Sequence, residues 1–323
     1  MLEKLLNIPG SFPGEPYHEF IRQFSLMMYQ DGNSVLTIKS YGWHLNHFSI
    51  WLIEQGVSHP SHITPPILLE WGGHLRSIYS PQTQKQCVVA IKSFYRFLVK
   101  LRACTQSIFE DVKNFLGSPK VIILPQRTFT AYEIASLVLA CEGVSPIDVR
   151  ARTLIMLLLD TGLRAAELCG ITQKDVDMNR RKISILGKGG QKELVFFGFE
   201  CQTILQEWLD VRGSLSKEND YFFVSLGGIT PGDKITPRGL RIILKRLGEK
   251  AGIENVHPHA FRRSFATLRI KDGQSTRGVQ LLGRWKNLSI FERYTQALMS
   301  DDDFARDEAA HFSPLKDIRP YQS

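Results

Sequence analysis

Features the chain lacks narrow its function before any motif is read. Its five cysteines (Cys87, Cys104, Cys141, Cys169 and Cys201) are odd in number and scattered, with neither a CxxC nor a Cys/His spacing of the kind that holds zinc. That usage suits a reducing cytoplasm and offers no metal site. No apolar run is long enough to span a bilayer: LIMLLLD, from Leu154 to Asp160, falls far short of the roughly 20 residues needed. The opening MLEKLLNIPGSF carries an acid at position 3 and no long apolar stretch, so neither a signal peptide nor a membrane span is expected. Internal repeats and low-complexity segments are missing as well. Asp301, Asp302 and Asp303 stand together, but consecutive helical residues point about 100° apart and cannot converge on one ion. They read as a solvated acidic cap. Without converging carboxylates a metal-dependent nuclease is disfavoured, and no cofactor is expected.

Acids are the scarcer charge. Lys and Arg number 40 against 32 Asp and Glu, a formal +8 that favours a polyanionic partner. The excess is local: between Lys234 and Arg293 stand fourteen Lys or Arg and four Asp or Glu, so these sixty residues carry +10, more than the surplus of the whole chain. With 323 residues and 43% hydrophobic content, the chain can bury a sizeable core and is long enough for two domains.

Apolar residues at Leu36, Tyr41, Leu45, Phe48 and Leu52, and at Val88, Ile91, Phe94, Leu98 and Leu101, recur at helical intervals, so the first part is expected to be all helical. Lys85, Lys92 and Arg96 share a stripe of the second helix, where they suit either phosphates or plain solvent. The run GSPKVIILPQRTFT, residues 117–130, reads as a linker between helical patterns. Thr130 and Glu133 have capping-box spacing, opening a helix over Ala131 to Cys141. A long apolar helix then ends at Thr161-Gly162, and a new one begins near Leu163, which puts Arg164 at a helix-to-helix corner. KISIL, GKGGQ and KELVFF predict a β-hairpin with Lys188 at its tip. Helices are expected over Arg238 to Ala251, Ala260 to Lys271 and Arg277 to Leu282, followed by a short one carrying Tyr294.

Five stretches combine in order: TGLRAAEL (161–168), GKGGQ (187–191), HPHAFRRSFAT (257–267), LLGRW (281–285) and FERYTQ (291–296). Arg164 and Lys188 are 24 residues apart, His259 and Arg262 one helical turn, Arg262 and Trp285 23 residues, Trp285 and Tyr294 nine. Each motif alone would be weak, but together at these intervals, from about Leu124 to Gln296, they resemble the tyrosine recombinase (phage integrase) family. The resemblance implies a mainly α fold with a small antiparallel β-sheet. A helical SAM-like core-binding domain (1–117), a linker (118–128) and a mixed α/β catalytic domain (129–323) with a C-terminal docking tail are expected.

The chemistry of strand cleavage suits these residues. It needs a nucleophile, neutralisation of charge on the non-bridging oxygens, and a proton for the departing 5′ oxygen. Arg164 and Arg262 offer planar, permanently charged forks. By resemblance Tyr294 is the nucleophile that forms a 3′-phosphotyrosyl link without metal, Lys188 the general acid, His259 a proton-transfer partner, and Trp285 an indole packed on Tyr294. Glu167, one turn after Arg164, would orient it. Counting from Arg262 and Tyr294 selects Trp285, whereas counting from Gly283 selects Arg284. The two-anchor count is followed, leaving Arg284 as an extra phosphate contact. His257 would cap a helix, and Arg263 would face phosphate or solvent.

The resemblance further implies a homotetramer on double-stranded DNA core sites, exchanging strands through a Holliday junction in the cytoplasm to integrate, excise or resolve DNA elements. A type IB topoisomerase-like relaxing enzyme and a DNA-binding regulator on the same fold are the rival readings.

Overall fold

The computed structural model describes residues 16–120, 127–187, 190–213, 220–227 and 231–286. Two compact units divide the chain between Ile122 and Ile123.

Prolines start many of the helices. Thr64-Pro65, Ser80-Pro81, Ser145-Pro146, Thr236-Pro237 and His257-Pro258 each put an extended residue at the N-cap and proline in the first turn, where its missing N–H is not needed. In the first unit this yields α1 (His18–Gln30), α2 (Val35–Glu54), α3 (Pro65–Ile78), α4 (Pro81–Lys100) and α5 (Gln106–Phe115). Their core centres on Phe24, Phe48, Trp71, Phe94 and Tyr95. No described helix is long and apolar enough to cross a membrane.

Two expected core positions are not core. Leu36 is 81% exposed because it lies in the first turn of α2, before the helix reaches its neighbours; Ile38, Leu45, Phe48 and Leu52 form the buried stripe. Leu101 is exposed because it caps the end of α4.

The second unit contains α6 (Ala131–Leu139), α7 (Pro146–Thr161), α8 (Ala165–Gly170), strands β1 (Val176–Asp177), β2 (Lys182–Leu186) and β3 (Lys192–Phe196), then α9 (Phe199–Arg212), α10 (Pro237–Ala251), α11 (Pro258–Lys271) and α12 (Thr276–Leu282). The Thr130–Glu133 capping box is present at the start of α6, which ends at Leu139 instead of running to Cys141. The three strands form one antiparallel sheet in the order β1-β2-β3, and sequence reading had no sign of the two-residue β1. The short helix expected around Tyr294 and the tail beyond it lie outside the described residues.

Helix α7 is apolar on several faces because α9 and α11 pack on it from different sides. Gly162 closes it in the left-handed conformation (φ 59°), and a Cβ there would stand 2.8 Å from Phe265 Cδ1 on α11. Gly162 therefore sets both the turn and the approach of α11. Gly252 also has a left-handed φ (70°), but a Cβ there would meet nothing within 4 Å. In denaturant unfolding Gly252→Ala should cost only the backbone strain, about 1 kcal/mol. Gly162→Ala should cost about 1–3 kcal/mol more through overpacking; equal losses would refute this account of α7–α11 packing.

Candidate active site

The site grows from the end of α7. After Gly162 and the buried Leu163, Arg164 adopts an extended backbone (φ −75°, ψ 151°) and opens α8, as the Thr-Gly break predicts. Glu167 lies one turn on. Its carboxylate accepts the Arg164 backbone N–H at 2.9 Å and Arg164 Nη1 at 2.5 Å. Arg164 keeps 43% of its side chain exposed while Glu167 keeps 6%. Burial pushes the Glu167 carboxyl up, but the Arg164 N–H and the charges of Arg284 and Arg164 outweigh it and hold the group below its ordinary value.

Arg262, on α11, is only 3% exposed. Its Nη1 donates to the Gly162 carbonyl, its Nη2 to the Gly283 carbonyl at 2.5 Å, and its guanidinium lies 4.4 Å from the centroid of the Trp285 ring. Gly162 caps α7 and Gly283 caps α12, so the cation satisfies carbonyls at two helix C-termini, where the helix dipole is negative. Arg269, two turns further along α11, donates to the carbonyl and carboxylate of Asp160 at 2.9 Å each. Two arginines on one face of α11 thus close the end of α7.

Trp285 is 6% exposed and packs with Phe265, Ala266 and Val279. Its backbone is fixed twice, N–H to the Gln280 carbonyl and carbonyl from the Gln280 amide, both at 3.1 Å. A Cβ on Gly283 would overlap the indole, so the ring lies directly on the backbone there.

His257 caps α11, its Nδ1 accepting the Ala260 N–H at 3.2 Å, as expected of that position. His259, exposed in the first turn, has its pKa lowered by partial desolvation first, then by the charges of Arg263, Arg262, Arg241 and Arg164. The charges of four guanidinium groups thus add to desolvation in disfavouring the protonated imidazole.

Several expectations are corrected. Arg263 is not solvated: it is buried, with Nε donating to the His259 carbonyl at 3.0 Å. Arg284 does not stand open as a phosphate contact, because its side chain is 9% exposed and lies 2.8 Å from Glu167 and 3.3 Å from Glu193. Of the α4 stripe, Lys85 and Arg96 are exposed, Arg96 lying 5.6 Å over the Phe109 ring, while Lys92 donates to the Lys113 carbonyl at 3.2 Å. Lys188 and Tyr294 lie outside the described residues. Among the described residues no group of three His, Cys, Asp or Glu could hold a metal ion.

Residues 127–301, over half of the chain and including this whole site, match the phage integrase family. The chain belongs to the tyrosine recombinase (phage integrase) family. Tyrosine recombinase XerC of Staphylococcus saprophyticus is 28% identical to this recombinase-family chain over 265 residues, covering 80% of it and 86% of the relative. XerC of Staphylococcus epidermidis is 32% identical over 228 residues, 69% and 74% of the two chains. The crystal structure of XerH site-specific recombinase bound to a palindromic difH substrate, in a post-cleavage complex, matches the fold with a TM-score of 0.70 at 20% identity, covering 96% of this chain and 94% of that one.

Sequence reading passed over Glu193, Arg241 and the two glycine carbonyls. Glu193 had a local signal: in KELVF it falls two residues before Val195, on the same strand face as that buried side chain. Arg241 had none, since only the packing of α10 near the start of α11 brings it to His259.

The lowered Glu167 pKa has a direction for stability. Its ionised form favours the fold, so the contribution is full above the unfolded value of about 4.3 and is lost as pH falls through the lower folded value. Glu167→Gln should cost about 2–3 kcal/mol at pH 7, since it removes the better-bonded of the two acids that Arg284 bridges. Chemical denaturation as a function of pH should show the gap from the unsubstituted protein narrowing as pH falls below the unfolded value of about 4.3. A gap that stays constant would mean the carboxylate charge is not what matters.

Proposed function

We propose that the protein is a site-specific recombinase that cleaves and rejoins double-stranded DNA through a 3′-phosphotyrosyl bond to Tyr294. The observation that carries this reading is that Arg262, 98 residues from Arg164 in sequence, donates to the Gly162 carbonyl two residues before Arg164, so both arginines meet at the end of α7. A scissile phosphate bound there would meet an exposed fork from Arg164 beside a rigidly held Arg262. Positive charge fixed before the reaction lowers the barrier because no reorganisation is needed as the phosphorane forms.

The steps follow from the residues. Tyr294 Oη attacks phosphorus, its proton passing to neutral His259, and the new P–O bond replaces the bond to the 5′ oxygen. Lys188 gives that oxygen its proton, and the reverse sequence rejoins a strand. Glu167 orients Arg164, and Trp285 supports Arg262 and packs on Tyr294. Charge neutralisation by arginine makes the reaction metal-independent. Residues 1–117 act as the core-binding domain and 118–128 as the linker. The catalytic domain, 129–323, assembles as a cytoplasmic homotetramer with its tail docked on a neighbouring subunit, and strands exchange through a Holliday junction. The names of the relatives, XerC and a DNA-bound XerH, support this reading.

The first test uses a duplex site selected by the full chain from a random-sequence pool, nicked to trap the intermediate. A covalent protein–DNA band should form without added metal. It should vanish in Tyr294→Phe, and Arg262→Ala should lose cleavage at least 10²-fold while binding changes much less. A band persisting in Tyr294→Phe overturns the assignment, and binding without any band favours a regulator. The second test is a pH profile. Because His259 is depressed, cleavage should fall on the acid side only below the ordinary imidazole value of about 6.5, and that limb should disappear in His259→Gln; a limb above 6.5 would contradict the geometry.

A further inference from the structure

Glu193 is a carboxylate on the inward side of a small sheet. It pairs directly with Ile185 of β2, which is 4% exposed, and shares its strand face with Val195, which is 2% exposed. An acid in such a place needs a partner. Arg284 supplies one: its Nε lies 3.3 Å from Glu193 Oε2, while its Nη2 donates to Glu167 Oε2 at 2.8 Å. The contact with Glu193 is an ion pair without hydrogen-bond alignment, whereas the one with Glu167 is a full charge-assisted bond.

Arg284 is also one of the few residues other than glycine with a left-handed backbone (φ 57°), a conformation that costs about 1–2 kcal/mol for a side chain with a Cβ. What holds it there is visible. Its own N–H bonds the Leu281 carbonyl at 3.0 Å, and its guanidinium bridges two acids on separate elements, the α8 corner and β3. On the other side of Glu193, a Cβ on Gly187 would run into the carboxylate. Glu193 therefore lies against the first residue of the hairpin turn, which is closed by the Gly187 N–H to the Gln191 carbonyl at 2.8 Å. One chain of contacts runs from the turn through Glu193 and Arg284 to Glu167 and Arg164.

We infer that Arg284 is a positioning residue that locks the β2–β3 hairpin to the Arg164 corner, so that its loss slows the step that protonates the departing strand. This rests on the reading of Lys188 as the general acid. The two acids Arg284 bridges and the 9% exposure of its side chain suit a strut within the fold better than an open phosphate ligand.

The test exploits the leaving group. In a selected, nicked duplex whose scissile 5′ bridging oxygen is replaced by sulfur, the strand departs as a thiolate, which needs no proton because thiols ionise near pH 8.5. Loss of the general acid is then harmless. Arg284→Gly, which accepts the left-handed backbone, and Glu193→Gln should each slow cleavage of the oxygen duplex about 10- to 100-fold. On the sulfur duplex both should return to within about threefold of the unsubstituted protein, as Lys188→Ala should. If Lys188→Ala is rescued but the other two are equally slow on both duplexes, Arg284 acts on the phosphate or on the fold, and the inference falls while the general-acid reading stands. If Lys188→Ala itself is not rescued, the reading beneath the inference falls. Full activity of both variants on the oxygen duplex would also overturn it. Should Arg284→Gly not fold, Glu193→Gln decides alone, since that side chain sits at the edge of the sheet and is 26% exposed.

Discussion

A buried guanidinium is the constraint on which this site depends. Arg262 is almost wholly removed from water, and a charge in that position is tolerated only if its donors are met. It meets the carbonyls of Gly162 and Gly283, the ends of α7 and α12, and the face of Trp285. Each of these groups has a need that the cation answers. Helix C-termini carry carbonyls without intrahelical donors, and an indole face is attractive to positive charge. Moving Arg262 would release the end of α7, the start of the Arg164 corner and the seat of Trp285 together. The glycines are part of the same constraint, because a methyl group at 162 would strike Phe265 and one at 283 would overlap Trp285.

Around that fixed cation the structure distributes very few acids. Glu167 and Glu193 serve the arginines that shape the site, Arg164 and Arg284, and neither is fully exposed. His259, partly desolvated, also feels the charges of Arg263, Arg262, Arg241 and Arg164, and its pKa is lowered. Under the proposed function, such a field would favour a bound phosphate and disfavour protonation of the imidazole.

Much of the architecture was legible in the sequence because it is set by local rules. The Thr130–Glu133 box, the Thr161-Gly162 stop, the hairpin and the helices starting near residues 237, 258 and 276 all depend on residues within a few positions of one another. The cap at His257 belongs with them. What misled was the assumption that a position in the right period is in the core. Leu36 and Leu101 keep the period but lie at helix ends where no neighbour covers them. The two-residue β1 had too few residues to carry a pattern. Arginine proved hardest to assign, since its long stem allows a charged residue in a basic stretch to be a ligand, a strut or a helix clasp. Arg263 and Arg284, taken as facing phosphate or solvent, turned inward.

By itself the sequence determined the order of elements, the local basic surplus and the residue types able to handle a phosphodiester, because propensity, capping and motif spacing act over short stretches. Which arginines became buried struts and which kept an open fork was decided by the tertiary structure alone. Arg262 and Gly283 are 21 residues apart, Arg262 and Gly162 100, and Arg284 and Glu167 117. Pairings over such distances arise only when α7, α11, α12 and the sheet pack, since the desolvation that makes each pair obligatory does not exist in the unfolded chain.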